Sequence, residues 1–242
     1  MTDRRAHFIL QGKGGIGKSF VASLLAQFYL AKGAPVRCID TDPLNGTLSG
    51  YKGLNAKRVN IVENNRVHAR LFDDMMEEVL SADTSSVVDV GGASFIHLVN
   101  YMVENRAFET IAEAGITPTV HSVVVGGQPM VDTLEGFRAV ADALPAVCEL
   151  IVWENEAFGP VRTEKGTPFQ AMGVYADRKD RVLGVIRLAD RDSDTFRADL
   201  NDMLSRRLMF SEALESPAFR IMARSRLKIV WEDYQAQIAL VL

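Results

Sequence analysis

Gly12-Lys13-Gly14-Gly15-Ile16-Gly17-Lys18-Ser19 is the stretch that decides how this chain folds. The apolar run Phe8-Ile9-Leu10 precedes it, and Phe20, Val21, Leu24, Leu25 and Phe28 follow at helical spacing. The order is strand, glycine-rich loop, helix. The spacing of Gly, four residues and Gly-Lys-Ser matches a phosphate-binding loop in the context that motif requires. Glycines let the backbone N–H groups from Gly12 through Gly14, Gly15, Ile16 and Gly17 to Ser19 converge on a phosphate, and the helix behind them offers its positive end. Lys18 is placed to reach the β and γ phosphates, and the Ser19 hydroxyl to ligate Mg²⁺. A plain glycine turn would leave the Lys-Ser pair unexplained.

Outward from the loop, the same alternation continues. Residues 6–11 form the expected first strand and 17–32 the first helix, with Gly33 as its C-cap. Further strands are expected at 35–40, 87–90, 120–125, up to Trp153, and at 181–188. Amphipathic helices are expected through Leu71, Met75 and Val79, through Phe95, Leu98, Val99 and Met102, and through Met130, Leu134, Phe137 and Ala141. Residues 41–65 and 154–168 have loop texture, and everything beyond Ser193 reads as helix. Short apolar strands alternating with amphipathic helices imply an α/β fold of three layers, the P-loop NTPase arrangement, with a mostly parallel sheet covered by helices on both faces. The 242 residues, with no repeat and no linker, are expected to form a single domain over 1–242.

Composition restricts the function classes. Hydrophobic content of 48% and charged content of 24% belong to an ordinary soluble protein, and the net charge of −4 gives no bulk attraction to nucleic acid. The N-terminal apolar run is too short for a signal peptide, and no stretch approaches the length of a membrane span. Cys38 and Cys148 lie in apolar strand-like runs, so buried thiols in a reducing cytoplasm are expected.

Lys13 sets this loop apart, because an ordinary phosphate loop accepts almost any residue there. Lys13-Gly14-Gly15-Ile16-Gly17-Lys18-Ser19 resembles the deviant Walker A motif of the MinD/ParA family of ATPases. The resemblance implies a homodimer bridged by ATP, in which Lys13 crosses to the phosphates held by the other subunit. A second cation there would neutralise charge in a water-poor site. Asp40-Thr41-Asp42-Pro43 resembles the switch I motif of the same family, implying that Asp40 supports the Mg²⁺ shell and Asp42 orients the attacking water. An aspartate-proline turn is the plainer reading. Leu44 stands where that family usually has glutamine, with Asn45 next. Asp89-Val90-Gly91-Gly92 resembles a Walker B aspartate with the γ-phosphate-sensing Gly92 of switch II, although Thr84-Ser85-Ser86 interrupts the apolar run before it. Asn155 sits where the family places an adenine-reading asparagine, and a loop asparagine is the alternative. Arg187 stands where relatives often carry proline. The implied set is catalytic Lys13, Lys18 and Asp42, metal-binding Ser19, Asp40 and Asp89, with ATP and Mg²⁺ as cofactors.

Asp190, Asp192 and Asp194 alternate as in a calcium loop but lack its glycine and terminal glutamate, so they are read as acidic residues opening a helix, capped by Asp192 or Ser193. Two basic stretches remain. Lys52, Lys57, Arg58, Arg66 and Arg70 crowd residues 51–70, and Arg220, Arg224 and Lys228 share a helix face opposite an apolar stripe of Leu227, Val230, Trp231, Tyr234 and Ile238. Each is a solvated face or a contact surface for DNA or an acidic partner. The C-terminal eight residues carry no lysine or arginine, unlike a basic membrane anchor.

Longer islands widen the resemblance: Leu10 to Ala22, Cys38 to Pro43, Gly50 to Asn55, Val124 to Gln128 and Arg226 to Val230 resemble the TraL family of plasmid conjugal transfer proteins. That implies a slow ATP-driven dimer switch that positions or assembles transfer components, with conjugal transfer proteins as partners. Two other classes use the same residues: a small-molecule enzyme of dethiobiotin-synthetase type, and an adaptor that binds ATP with negligible hydrolysis.

Overall fold

The computed structural model describes residues 4–43, 45–63, 66–191 and 194–242. In chain order the elements are β1 (Arg5–Ile9), α1 (Lys18–Ala31), β2 (Val36–Asp40), β3 (Lys57–Arg58), β4 (Val62–Glu63), β5 (Arg66–Val67), α2 (Phe72–Leu80), β6 (Ser85–Asp89), α3 (Phe95–Glu104), α4 (Ala107–Glu113), β7 (Thr117–Val125), α5 (Met130–Ala143), β8 (Glu149–Asn155), α6 (Gly173–Ala176), β9 (Val182–Leu188), α7 (Phe196–Ser205), α8 (Phe210–Glu215) and α9 (Ile221–Ala239). Seven strands form one sheet in the order β3-β2-β6-β1-β7-β8-β9, and every pairing in it is parallel. Each inner strand contributes apolar residues to both faces of the sheet, so two cores form. One packs Phe72, Met75, Leu98, Phe108 and Phe137 from α2 to α5 against Phe8 and Val88. The other packs α1, α7, α8 and α9 against Ile9, Val87, Val123 and Trp153. This is the expected three-layer arrangement.

The sheet places the chemistry. β2, β6 and β1 are neighbours, and their register sets Asp40 directly opposite Asp89, and Asp89 opposite Ile9, where the glycine loop begins. All three strand ends open on the carboxyl edge, where parallel sheets bind ligands.

Several boundaries differ from expectation. β6 starts at Ser85, two residues early, because both serines are buried and Ser85 Oγ accepts the Arg5 N–H at 3.1 Å. Polar residues can occupy an inner strand when the neighbouring backbone satisfies them. β7 starts at Thr117 despite Pro118, which sits near the strand's beginning. The helical segment after Gly92 breaks in two at Arg106, which takes φ 51°, and α4 follows. Residues 41–65 contain β3, which extends the sheet, and β4, which pairs with β5 as a small antiparallel ribbon. Gly33 adopts φ 70° just after α1, as a C-terminal cap requires. Leu44, Asp192 and Ser193 lie outside the described residues, and Thr195 is the N-terminal flanking residue of α7. Both cysteines are free and buried, and burial pushes each thiol up to about 12.

Candidate functional site

The glycine loop closes tightly before α1. Gly15 and Gly17 take φ 74° and 97°, the left-handed region in which a side chain is strained. Lys18 opens α1, is buried, and its Nζ donates to the Lys13 carbonyl at 2.7 Å, so the ammonium lies folded across its own loop. Burial lowers the Lys18 pKa, while Asp89 and Asp42 act in the opposite direction.

Asp89 ends β6 at 1% exposure. Burial pushes its carboxyl up to about 7; a hydrogen bond with Ser19 acts against this, and the nearby Asp40 charge adds to it. Its Oδ2 has no hydrogen-bond partner. An unpaired carboxylate oxygen buried beside Ser19 and Asp40 is the donor set a hard divalent cation takes. The residues present therefore fit Mg²⁺. Asp40 Oδ1 accepts from the Asp42 N–H at 3.0 Å and Oδ2 from the Ser49 N–H at 2.8 Å, so this carboxylate shapes the loop after β2. Asp42 accepts from both the backbone and the side-chain amide of Asn45, each at 3.2 Å. Gly92 abuts the glycine loop: a Cβ there would stand 2.6 Å from the Gly12 carbonyl oxygen. Only a glycine permits that approach.

Asn155 ends β8 and reaches the same loop. Its Nδ2 donates to the Ile16 carbonyl at 2.9 Å, and its Oδ1 accepts the Ala157 N–H at 3.1 Å. Lys13 turns along its own subunit instead of outward. Its Nζ meets Asp132 Oδ2 on α5 at 2.6 Å, with both side chains about half exposed.

Two hollows flank the loop. One, of about 600 Å³, is lined by Gly14, Lys18, Ser19, Asp42, Asn45 and Gly92. The other, of about 230 Å³, is largely apolar, lined by Asn155, Phe158, Leu188, Phe196, Leu200 and Leu204, and also by the polar Asp190, Arg191, Arg197 and Asn201. Gly15, Gly17 and Phe20 line both, so a polar and an apolar compartment join across the loop. The arrangement can hold a chain of anionic groups ending in a flat apolar moiety.

No protein-family model matches the chain. It is 40% identical over 234 residues to the protein TraL of Escherichia coli, covering 97% of each chain, and 40% identical over 226 residues to a second Escherichia coli TraL, covering 93% of each. The chain belongs to the TraL family. The cell division protein MinD of Aquifex aeolicus has the same fold, with a TM-score of 0.51 and 15% identity over 97% of this chain and 96% of that one. This TraL-family chain thus has the fold of the MinD/ParA P-loop ATPases.

In this TraL-family chain the structure brings together the predicted Gly12, Gly14 to Ser19, Asp40, Asp42, Asp89, Gly92 and Asn155 on one edge of the sheet, whereas the Lys13 side chain leaves the site for Asp132. The apolar compartment was not predicted. Its wall comes from an irregular loop, Phe158, and from α7, whose Phe196, Leu200 and Leu204 carry the spacing of any core-facing helix. No sequence signal separated them from core. Tyr51, whose pKa burial raises, also lines the polar hollow unpredicted. Arg187 does not wall the apolar hollow; it pairs with Glu156 at 2.8 Å, which in turn accepts the Asp190 N–H at 3.1 Å. Of the basic residues, Lys57 pairs with Glu78 at 2.6 Å, Lys228 lies 3.7 Å from Glu232, Arg58 donates to the Asp42 carbonyl at 3.2 Å, and Arg224 to the Leu214 carbonyl at 3.5 Å. No helix among the described residues is long and apolar enough to cross a membrane.

Proposed function

We propose that this chain is an ATP-binding, slowly hydrolysing switch of the cytoplasm, one domain from end to end, that dimerises around ATP and serves plasmid conjugal transfer. Membership of the TraL family supports the setting, and the glycine loop supports the chemistry. The observation that carries the reading is the buried Asp89 carboxylate, with one oxygen unpartnered, at the foot of a glycine loop that also presents Lys18 and Ser19.

Ser19, Asp40 and Asp89 would hold Mg²⁺, which when bound would offset the charge of the terminal phosphates. Lys18 would leave the Lys13 carbonyl to meet those phosphates, and the N–H groups of Gly14 to Ser19 would line them. The base would lie in the apolar hollow against Phe158 and Phe196, with Asn155 at its inner end. Gly92, packed on the loop, would sense the last phosphate. Asp42 would orient the attacking water, and its two contacts with Asn45 favour slow turnover, since that loop must rearrange first. Lys13 would exchange Asp132 for the partner's nucleotide. Transfer-machinery proteins are the partners this reading implies, and DNA is a candidate for Arg70 and Arg220, which lie exposed.

Light scattering of the purified protein with no nucleotide, with ADP and with ATP plus Mg²⁺ tests the reading. A doubling of mass with ATP–Mg²⁺ alone supports it. A protein that binds ATP yet stays monomeric sinks the switch, and one that binds no nucleotide sinks the whole assignment.

A further inference from the structure

Gln11 and Gly136 play no part in the chemistry so far, yet they meet at its foundation. Gln11 is the last residue before the glycine loop and is 1% exposed. Its Nε2 donates to the Val123 carbonyl of β7 at 3.1 Å and to the Thr133 carbonyl of α5 at 3.0 Å. Its Oε1 accepts the Gly12 N–H at 2.8 Å. Two carbonyls and one N–H surround this amide, so only one orientation satisfies all three. Thr133 is itself fixed: its hydroxyl accepts the Val125 N–H at 3.2 Å and donates to the Met130 carbonyl at 2.9 Å. One side chain thus bolts the first amide of the loop to the first turn of α5 and to the end of β7.

Gly136 makes room for it. This glycine lies inside α5, where glycine is a poor helix former. Its φ is not positive, so backbone freedom does not explain it. A Cβ built on it overlaps Gln11 Oε1 and stands 2.6 Å from Cδ and 2.7 Å from Nε2. The missing side chain is the socket for the Gln11 amide.

We propose that Gln11, seated against Gly136, is the positioning residue that sets the start of the nucleotide loop and couples it to α5; this rests on the nucleotide-binding reading of the loop. With its N–H held by Gln11, Gly12 lines the polar hollow without offering that N–H to an anion. α5 also carries Asp132, the partner of Lys13, so any shift of the loop on binding passes to that helix through the same bolt.

The test is a double-mutant cycle read by hydrogen exchange of the ligand-free protein. Gln11→Ala, the volume-conserving Gln11→Met, Gly136→Ala and the Gln11→Ala/Gly136→Ala pair are compared with the parent. Losing one buried hydrogen bond should speed exchange at Gly12 about tenfold. Both Gln11 variants and Gly136→Ala should show this, with strands β7 and β8 unchanged. The pair should exchange no faster than Gln11→Ala alone, because the added methyl then meets no amide. Unchanged exchange in Gly136→Ala, or effects that multiply in the pair, overturns the coupling. A fluorescent ATP analogue gives the second arm: affinity should fall by a similar factor in each single variant, again without multiplying. If affinities stay at the parent's value while exchange rises, Gln11 does not position the nucleotide loop. If the parent binds no analogue, the nucleotide reading fails, and the exchange arm alone decides whether Gln11 couples loop and helix.

Discussion

Replacing Asp89 with asparagine should make the ligand-free protein more stable while removing its response to Mg²⁺. The carboxyl is raised from an ordinary value of 3.8 to about 7, chiefly by burial. A group whose folded pKa lies above its unfolded one contributes stability that is complete below the unfolded value and is lost as pH rises through the folded one. Between pH 3.8 and 7 the loss runs at about 1.4 kcal/mol per pH unit, reaching roughly 4 kcal/mol above pH 7. Asparagine has the same shape and no charge to bury. Asp89→Asn should therefore match the parent near pH 4 and exceed it progressively, by an upper limit of about 4 kcal/mol at pH 8. For a chain of this size each kcal/mol moves Tm by about 2–4 °C. Thermal denaturation of both proteins from pH 5 to 8.5, with chelator present, measures the difference. Adding ATP with Mg²⁺ should then raise Tm of the parent and not of the variant. A stability difference that stays flat with pH, or a variant less stable at pH 8, would refute the picture of a carboxylate held ready for a cation.

The other expectations are separable. Lys18→Ala should abolish nucleotide binding in equilibrium dialysis, whereas Lys13→Ala should bind ATP normally and stay monomeric in light scattering. Asp132→Asn frees Lys13 from a half-exposed ion pair worth under about 1 kcal/mol, and a symmetric dimer breaks two of them, so ATP-dependent dimerisation should tighten by less than roughly thirtyfold; a larger gain means that Asp132 does more than hold one lysine. Asp42→Ala should trap the ATP-bound dimer, and normal phosphate release by that variant removes Asp42 from the mechanism. Acid should destabilise the fold through His7 and His121: burial holds His7 down to about 3 and His121 well below its usual value, so below pH 6.5 the unfolded chain takes up two protons that the folded chain refuses. Their joint slope, about 2.7 kcal/mol per pH unit, is half offset by Asp89 in the parent, and so should emerge in full in Asp89→Asn during denaturant unfolding between pH 6 and 4.5.

Those histidines mark one limit of what the sequence discloses. Trp153 Nε1 donates to His121 Nδ1 at 2.9 Å, which leaves His121 to donate through Nε2 to His7 Nδ1 at 2.8 Å, and His7 in turn to the Tyr29 hydroxyl at 2.8 Å. The chain runs from β8 through β7 and β1 to α1, linking residues far apart in sequence, so no local pattern announces it. Strand and helix periodicity, by contrast, is local, and the parallel sheet was legible for that reason. Ser85 and Pro118 were misplaced because strand interiors tolerate them only through neighbours the sequence does not name.

The candidate site divides along the same line. Its polar half was legible because each piece sits at a strand end with a fixed local grammar: a glycine loop after β1, Asp40 ending β2, Asp89 ending β6 with Gly92 just beyond it. Parallel register then carries those ends to one edge without further instruction, Asp40 opposite Asp89. Its apolar half is built differently. Phe158 comes from an irregular loop and Leu200 and Leu204 from a helix after the last strand, joined to the glycine loop only by the fold's return across the sheet. Leu204 touches both compartments, so a helix with no motif of its own meets the phosphate side and the apolar side together. On the proposed nucleotide-binding reading, a displacement of α7 should change affinity without any change in the glycine loop, and Leu204→Ala should weaken ATP binding in equilibrium dialysis.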